Sequence, residues 1–542
     1  DELKKNARNG YFEKLIKEYL LDNNHKSIIS LVPEYGLEKE KEQKEADKLA
    51  EYKSTLTNDE LEELVKKTKE LKEYQDTPSS QEDLEKIPML ELSDIKREPA
   101  KDYNDVKSVD GIKIVHHNIF TNKIAYINMS FDTKCVPDEL IPYMGLLGST
   151  LSLMDTKNYT YPELTNEINI NCGGLATGTA LYSDKVDFSK NTIVYEVKSK
   201  ALYEKVPFVL GMMEEIMYNT RFDDYKRLKE IIARIKSRLE ASLMGQGHSI
   251  AMLECCAQFS ESAYYSDILR GYKYYEFIKK LDEEFEQNKT QIVDKLNKLV
   301  GYIFNKDNVI VSLTADDEGY DCFVKALSAK SCNIKDEHYN TAVRSFIPVN
   351  VKTGYTSASQ VQYVARCGNF VKDGYKYTGA LKVLKVIFSY DYLWINVRVK
   401  GGAYGCMSGS SRNGDFYMVS YRDPNLEKTN DIYEGAADYI RNFNVSRRDM
   451  VKFIIGTIGE IDAPLTPSAI GSRSFTHYMC NCTEDMLRKD REEVLDATVE
   501  SIRELAPLIE SAVGQNYLCV VGNQKQINEA ADLFDEIKPL IG

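Results

Sequence analysis

Three short apolar runs recur along the chain: Ser27-Ile28-Ile29-Ser30-Leu31, Val309-Ile310-Val311-Ser312-Leu313 and Tyr517-Leu518-Cys519-Val520-Val521. Each reads as an apolar strand, and each leads through a few polar residues into a helical pattern. A strand that closes an α+β unit and hands over to a helix, met three times, implies three unit ends. The last two runs lie about 200 residues apart, a reasonable length for a domain. The first arrives too early to close a unit of its own, so the body of that unit is expected upstream of Asp1. At 542 residues the chain also exceeds what one core organises.

The rest of the chain divides accordingly. Residues 1–35 read as a helix, with Phe12, Leu15, Ile16, Tyr19 and Leu20 on one face, followed by a strand from Lys26 to Val32 ending at Pro33. Residues 36–75, the first part of a linker expected over 36–100, are charged and carry two helical patterns. The second opens with a capping-box sequence, Thr57-x-x-Glu60, and continues with Leu61, Leu64, Val65 and Leu71. A helical hairpin is expected, broken at Thr77-Pro78-Ser79-Ser80 and followed by an extended connector with Pro88 and Pro99. Residues 101–330 and 331–542 alternate strand and helix patterns. Strands are expected at 112–115, 124–131, 193–197, 355–367, 394–400 and 415–421. The helical patterns fall at 140–154, 161–170, 202–218, 223–244, 271–299, 375–392, 447–461, 465–479 and 484–510. The fold class expected is α+β: two such units, preceded by a helical-hairpin linker.

Net charge bounds the partners. At −14 it argues against binding a phosphate backbone. It is compatible both with an ordinary acidic surface and with a cavity that attracts basic peptides. No apolar run is long enough to cross a bilayer, so no membrane partner is expected. The eleven cysteines show no disulfide-like spacing, which suits a reducing compartment: cytoplasmic, with an organelle as the alternative. The start, Asp1-Glu2-Leu3-Lys4-Lys5, reads as a cut from a longer polypeptide.

Chemistry concentrates in one place. Residues 396–406 read Asn-Val-Arg-Val-Lys-Gly-Gly-Ala-Tyr-Gly-Cys, taken as a strand, a glycine turn and a second strand. Gly401 and Gly402 allow close approach of another backbone. Arg398 is always charged, and Tyr404 offers a phenolic donor. These parts could hold the carbonyls of an extended peptide and steady a developing oxyanion; a surface salt bridge for Arg398 is the plainer reading. No hydrolytic centre accompanies them. The six histidines include neither His-Glu-x-x-His nor its inverse. His116 and His117 are strand neighbours, expected to point one inward and one to solvent. His477-x-x-Cys480-x-Cys482 lacks a fourth ligand, and Cys255-Cys256 read as buried helix residues. No nucleophile elbow, phosphate loop or dinucleotide fingerprint is present.

Arg398-Val-Lys-Gly-Gly-Ala-Tyr404-Gly405, Ser420-Tyr-Arg-Asp-Pro424 and Gly456-Thr-Ile-Gly-Glu-Ile-Asp-Ala-Pro464, with Asn24-His25-Lys26, the charged hairpin and Ile87-Pro88-Met89-Leu90 upstream, resemble the C-terminal half of a pitrilysin-type zinc peptidase. The resemblance is to the presequence protease and falcilysin subfamily and covers essentially the whole chain. It implies a clamshell of two halves, each with two homologous domains. Residues 1–35 would end the second domain, 36–100 would be the linker, and 101–330 and 331–542 the third and fourth domains. Zinc would be held by the missing N-terminal half through His-x-x-Glu-His, with no metal in this chain. Where that motif would fall, this sequence has Leu146-Leu-Gly-Ser-Thr150, which cannot ligate zinc.

The resemblance further implies an enzyme of peptide-bond hydrolysis that degrades unfolded peptides in a closed chamber, inactive as this portion alone. Tyr404 would donate to the scissile carbonyl, Arg398 would hold a neighbouring carbonyl, and Gly401 and Gly402 would give the peptide backbone room. The partners implied are the N-terminal half and unfolded peptides; the acid-rich composition, separately, suggests a taste for basic ones. The alternative is a non-catalytic structural or assembly subunit of the same fold.

Overall fold

The computed structural model describes residues 2–541 except 33, 35, 78, 81, 84, 85 and 330–332; Pro33 and Pro78, read above as punctuation, lie outside the described residues. The chain divides into two compact units, Asp1–Pro88 and Met89–Gly542.

The first unit is helical. Glu2–Arg8 and Tyr11–Leu15 run into a wider π-type turn, Ile16–Leu21. The strand expected from Lys26 to Val32 is not formed. A strand exists only by pairing, and none of this unit's described residues offers an edge to pair with. Its apolar residues stand in solvent instead, with Ile28 97% and Leu31 98% exposed. The two charged helices follow, Leu37–Thr55 and Asn58–Asp76. The capping box is realised: the Glu60 amide donates to the Thr57 hydroxyl at 3.3 Å, and the Thr57 amide donates to the Glu60 carboxylate at 2.8 Å. Leu64, Val65 and Leu71 remain exposed, so the stripe expected to close the hairpin has no cover. These helices rely on caps and on solvent-exposed i,i+4 ion pairs such as Lys67–Glu63, which are individually weak.

The second unit contains two six-stranded sheets with helices packed on their faces, the α+β class expected. Sheet one comprises β1 (Asp105–Val109), β2 (Ile112–Asn118), β3 (Ile124–Asp132), β4 (Leu175–Ser183), β5 (Asn191–Leu202) and β6 (Val309–Ala315), in the order β1-β2-β6-β3-β5-β4. Sheet two comprises β7 (Thr353–Ser357), β8 (Tyr363–Asn369), β9 (Gly405–Ser410), β10 (Asp415–Tyr421), β11 (Tyr517–Asn523) and β12 (Glu536–Pro539), in the order β12-β7-β11-β8-β10-β9. Five strands correspond: β2-β6-β3-β5-β4 in one sheet repeats as β7-β11-β8-β10-β9 in the other. The parallel pair also recurs, β2 with β6 and β7 with β11. The apolar runs at Val309 and Tyr517 are therefore equivalent interior strands.

Each sheet buries its main face against helices of its own half of the unit. The other face is covered by a helix from the opposite half. Pro467–Met479 lies on sheet one, placing Phe475 and Cys480 against Val115, Tyr182 and Val194. Gly247–Ala257 lies on sheet two, placing Ile250, Cys255 and Cys256 against Tyr363, Ala365, Cys367 and Val521. Both approaches are made through a glycine: a Cβ on Gly471 would sit 1.8 Å from the Thr314 hydroxyl, and one on Gly247 2.3 Å from the Tyr363 ring. A polar contact completes the second, the Tyr355 phenol donating to Glu254 at 2.6 Å.

This exchange corrects the expectation for the adjacent histidines. They do face opposite sides of β2, but both are buried, His116 at 1% and His117 at 0% exposure. The side expected to be wet is covered by Phe475, edge-on to His117 at 6.3 Å. His117 also meets the Tyr103 carbonyl and, at 3.0 Å, the Ser312 hydroxyl, while burial pulls its pKa down to about 4. The connector 89–104 is held to the same region. Arg97 pairs with Asp496 at 2.6 Å, Arg491 donates to the Lys96 carbonyl at 2.8 Å, and Asp102 meets His477 at 2.6 Å.

Gly471→Ala is expected to cost about 1–3 kcal/mol of stability through overpacking. Gly459→Ala, whose Cβ would meet nothing within 4 Å, should instead add about 0.5–1 kcal/mol. Urea titration of both variants reads the difference, and effects of one sign and size would contradict the close approach.

Candidate functional site

The segment 394–400, expected as a strand, is helical. Helix Ala380–Ile387 continues into two π-type turns, Phe388–Tyr392 and Trp394–Val399. Ile395, Val397 and Val399 alternate with polar residues, which mimics a strand. The core contacts settle it differently, because Leu393 and Val397, four apart, are both fully buried. A helix also brings Trp394 and Arg398 onto one face, and the Arg398 guanidinium lies 4.0 Å from the Trp394 ring centroid.

Gly401 and Gly402 end this helix. Gly402 sits in the left-handed region at φ 85°, its amide returning to the Arg398 carbonyl at 2.8 Å and the Ala403 amide to that of Val397 at 3.1 Å. A Cβ on Gly401 would lie 2.4 Å from the Val397 carbonyl oxygen. The reversal aims Tyr404 back towards the helix, its ring 5.7 Å from the Arg398 guanidinium and 66% exposed. The glycines thus bend the chain that carries the two candidate groups.

The Tyr421-Arg422-Asp423-Pro424 turn clasps this bend. The Tyr404 amide donates to the Arg422 carbonyl at 3.2 Å, and Asn425 donates to the Gly401 carbonyl at 2.6 Å. Asp423 anchors the turn from below: fully buried, it accepts from Thr429 at 2.7 Å and the Asn425 amide at 2.9 Å. Burial pushes its carboxyl pKa up, and these hydrogen bonds oppose that shift. Tyr421 packs edge-on to Tyr404 at 5.8 Å and to His248 at 4.9 Å. Burial raises the neighbouring Cys406 thiol to about 11, which keeps it a neutral packing residue.

Arg398 and Tyr404 therefore converge on one accessible patch at the start of β9, one of the two outer strands of sheet two. Among the described residues, Arg398 has no carboxylate partner. Trp394 and Arg422 also belong to the patch and were missed as site residues. The only tryptophan of the chain, four residues before the arginine, was the available signal.

The other candidates do not assemble. Leu146, Leu147 and Thr150 are buried, and the Thr150 hydroxyl is spent on the Leu147 carbonyl at 3.0 Å, so this helix does not fit a zinc ion. His477 is engaged by Asp102, while Cys480 is packed in an apolar cluster. Among the described residues, the one close group of metal-ligand types is Asp307, Asp336 and His338, all exposed. No helix is long and apolar enough to cross a membrane among the residues described.

Comparison with known proteins places this architecture. Residues 31–281 match the family model for the region associated with peptidases of family M16, subfamily C, and residues 354–523 match the PreP C-terminal domain. Protein HypA of Clostridium perfringens is 39% identical, aligned over 100% of this chain and 55% of its own length. Presequence protease 1 of Arabidopsis thaliana, chloroplastic/mitochondrial, is 30% identical over 98% of this chain and 49% of its own. The chain thus spans about half the length of the curated relatives it matches. A structure titled as the peptidase M16 inactive domain from Pseudomonas fluorescens shares the fold at TM-score 0.54 and 15% identity, covering 80% of this chain and 98% of that one. The chain belongs to the pitrilysin-type peptidases and corresponds to the C-terminal half of the presequence protease kind.

Gly402→Ala is expected to cost about 1–2 kcal/mol, the penalty of a Cβ in left-handed backbone. Gly402→Asn should recover part of it, since asparagine tolerates that conformation. Thermal unfolding of both variants checks this, and an alanine variant as stable as the parent would contradict the turn geometry.

Proposed function

We propose that this chain is the half of a zinc-dependent oligopeptidase that binds no metal and grips the peptide to be cut. The observation that carries the reading is the convergence of Arg398 and Tyr404 beside the free edge of β9. One is a guanidinium without a carboxylate partner among the described residues, the other an exposed phenol, and both are delivered by a glycine bend clasped by a second motif. A structural or assembly subunit would have no use for either group held this way.

In this reading the Arg398 guanidinium donates to a peptide carbonyl and fixes the register of an extended chain. The Tyr404 hydroxyl donates to the neighbouring carbonyl oxygen as it gains negative charge, a role in which one donor is worth about 2.7–4 kcal/mol. Gly402, exposed beside them, leaves the approach free of a side chain. Zinc would be held by the other half of the full polypeptide, and no step through it is assigned to residues of this chain. The remaining surface would contribute wall to a chamber for unfolded peptides. The taste for basic peptides inferred from net charge has no support in the Arg398–Tyr404 pair, whose charged member is cationic.

Tyr404→Phe in the full-length enzyme is expected to lower kcat by roughly 100-fold or more and to change KM far less. Steady-state kinetics on a fluorogenic peptide checks this. An effect confined to KM would show that Tyr404 contributes only to ground-state binding.

A further inference from the structure

The correspondence of the two sheets sets β4 in sheet one where β9 lies in sheet two, each an outer strand paired on one side. Helix Ile141–Thr150 packs on β4 through Gly148, whose added Cβ would lie 3.3 Å from the Gly178 Cα. Beside this contact is a hollow of about 500 Å³, walled by small residues of the helix and by Thr177, Gly178 and Thr179 of β4. Arg234, Arg238 and Arg270 line the same hollow. Among the described residues none of the three has a carboxylate partner, in a chain of net charge −14. Arg234 and Arg238 lie four apart on helix Tyr225–Gly245, where like charges repel. Among the described residues lining the hollow, none is acidic.

A second observation is independent of the arginines. Tyr274 also lines the hollow, is 5% exposed, and its hydroxyl has no hydrogen-bond partner among the described residues. Its ring is seated on Gly145, where a Cβ would approach to 2.7 Å. Buried polar groups are normally satisfied, and an orphan marks a place where a partner is absent. Burial raises the phenol pKa while the charge of Arg238 opposes the shift, which puts the guanidinium within electrostatic reach of this ring.

We infer that this hollow binds the C-terminal carboxylate of an extended peptide laid antiparallel along β4. An antiparallel partner presents its C-terminus towards the start of β4, at Thr177–Thr179, where the arginines stand. Guanidinium groups match a carboxylate in shape and charge, and three of them leave donors to spare. The unpaired edge of β4 supplies backbone hydrogen bonds, the mode of strand addition. Arg270 also lines a neighbouring hollow of about 690 Å³, which Leu181 of β4 shares with Ser408 and Ser410 of β9. The bound peptide therefore runs from the arginines towards the outer strand that carries the Arg398–Tyr404 patch. This inference rests on reading the chain as one that handles peptides.

The test is fluorescence anisotropy with this chain and an N-terminally labelled, unstructured decapeptide, compared as the free acid and as the C-terminal amide. The acid should bind at least tenfold more tightly. R234Q/R238Q should erase that preference at an unchanged melting temperature, because both side chains are exposed. Equal binding of acid and amide, no binding of either, or a preference that survives R234Q/R238Q would overturn the inference. So would tighter binding of inorganic phosphate than of the peptide acid. Y404F should keep the preference. Since the readout is binding and not turnover, its failure leaves the Arg398–Tyr404 reading standing, and a failed kinetic test of Tyr404 leaves this one.

Discussion

The second unit is held in one piece by two helices that each cross to the other sheet. Gly471 seats one helix directly on Thr314 of β6, and Gly247 seats the other on Tyr363 of β8. Neither approach leaves room for a methyl group, so backbone-to-sheet distance is set by the absence of a side chain. The consequence reaches beyond stability. With both secondary faces covered, β4 and β9, each at one end of its sheet, remain as unpaired edges, as β1 and β12 do at the other ends. Strands β4 and β9 line one hollow between them, and a displaced crossing helix would move one edge relative to the other.

Unpaired edges invite strand addition, and proteins ordinarily blunt them. Here β4 and β9 are each accompanied by arginines without acidic partners among the described residues: Arg398 near β9, and Arg234, Arg238 and Arg270 around β4. The repeated topology places these groups in equivalent neighbourhoods, although different elements deliver them. At β9 the carrier is the end of a long helix that slips into π-type turns and stops at Gly402. At β4 the carriers are the exposed side of helix Tyr225–Gly245, for Arg234 and Arg238, and the end of helix Glu261–Arg270. Peptide carbonyls and carboxylates are the natural complements of such donors, which gives the fold its consistent chemical character despite an acidic total charge.

Much of this was legible from local patterns. The helix at 447–461 and the capping box at Thr57–Glu60 appear as expected. Strands β2, β3 and β10 also lie over the ranges expected at 112–115, 124–131 and 415–421. The recurrence of Val309–Leu313 and Tyr517–Val521 pointed correctly to equivalent strands. The failures share a cause: each depended on what lies opposite. Residues 394–400 alternate like a strand but are helical, because Leu393 and Val397 bury together. Lys26–Val32 has a strand's composition with no partner to pair with. Helix Gly247–Ala257 is apolar on most sides, as a helix buried between layers must be, and so lacks the one-sided period that announces a helix. One of His116 and His117 was expected in solvent, whereas both are buried, because the cover over His117, Phe475, comes from far along the chain. At the site, Arg398 and Tyr404 were visible as residue types, whereas their convergence needed the glycine bend and its clasp by residues 421–425.

The central claim is a division of labour in which this chain positions a peptide backbone and another polypeptide segment supplies the metal. The most direct measurement is hydrolysis of fluorogenic unfolded peptides by the purified chain, with and without chelator, before and after adding a separately produced upstream half. The account predicts no turnover above buffer until the upstream half is present, then turnover that chelator abolishes. Chelator-sensitive cleavage by the chain alone would contradict it.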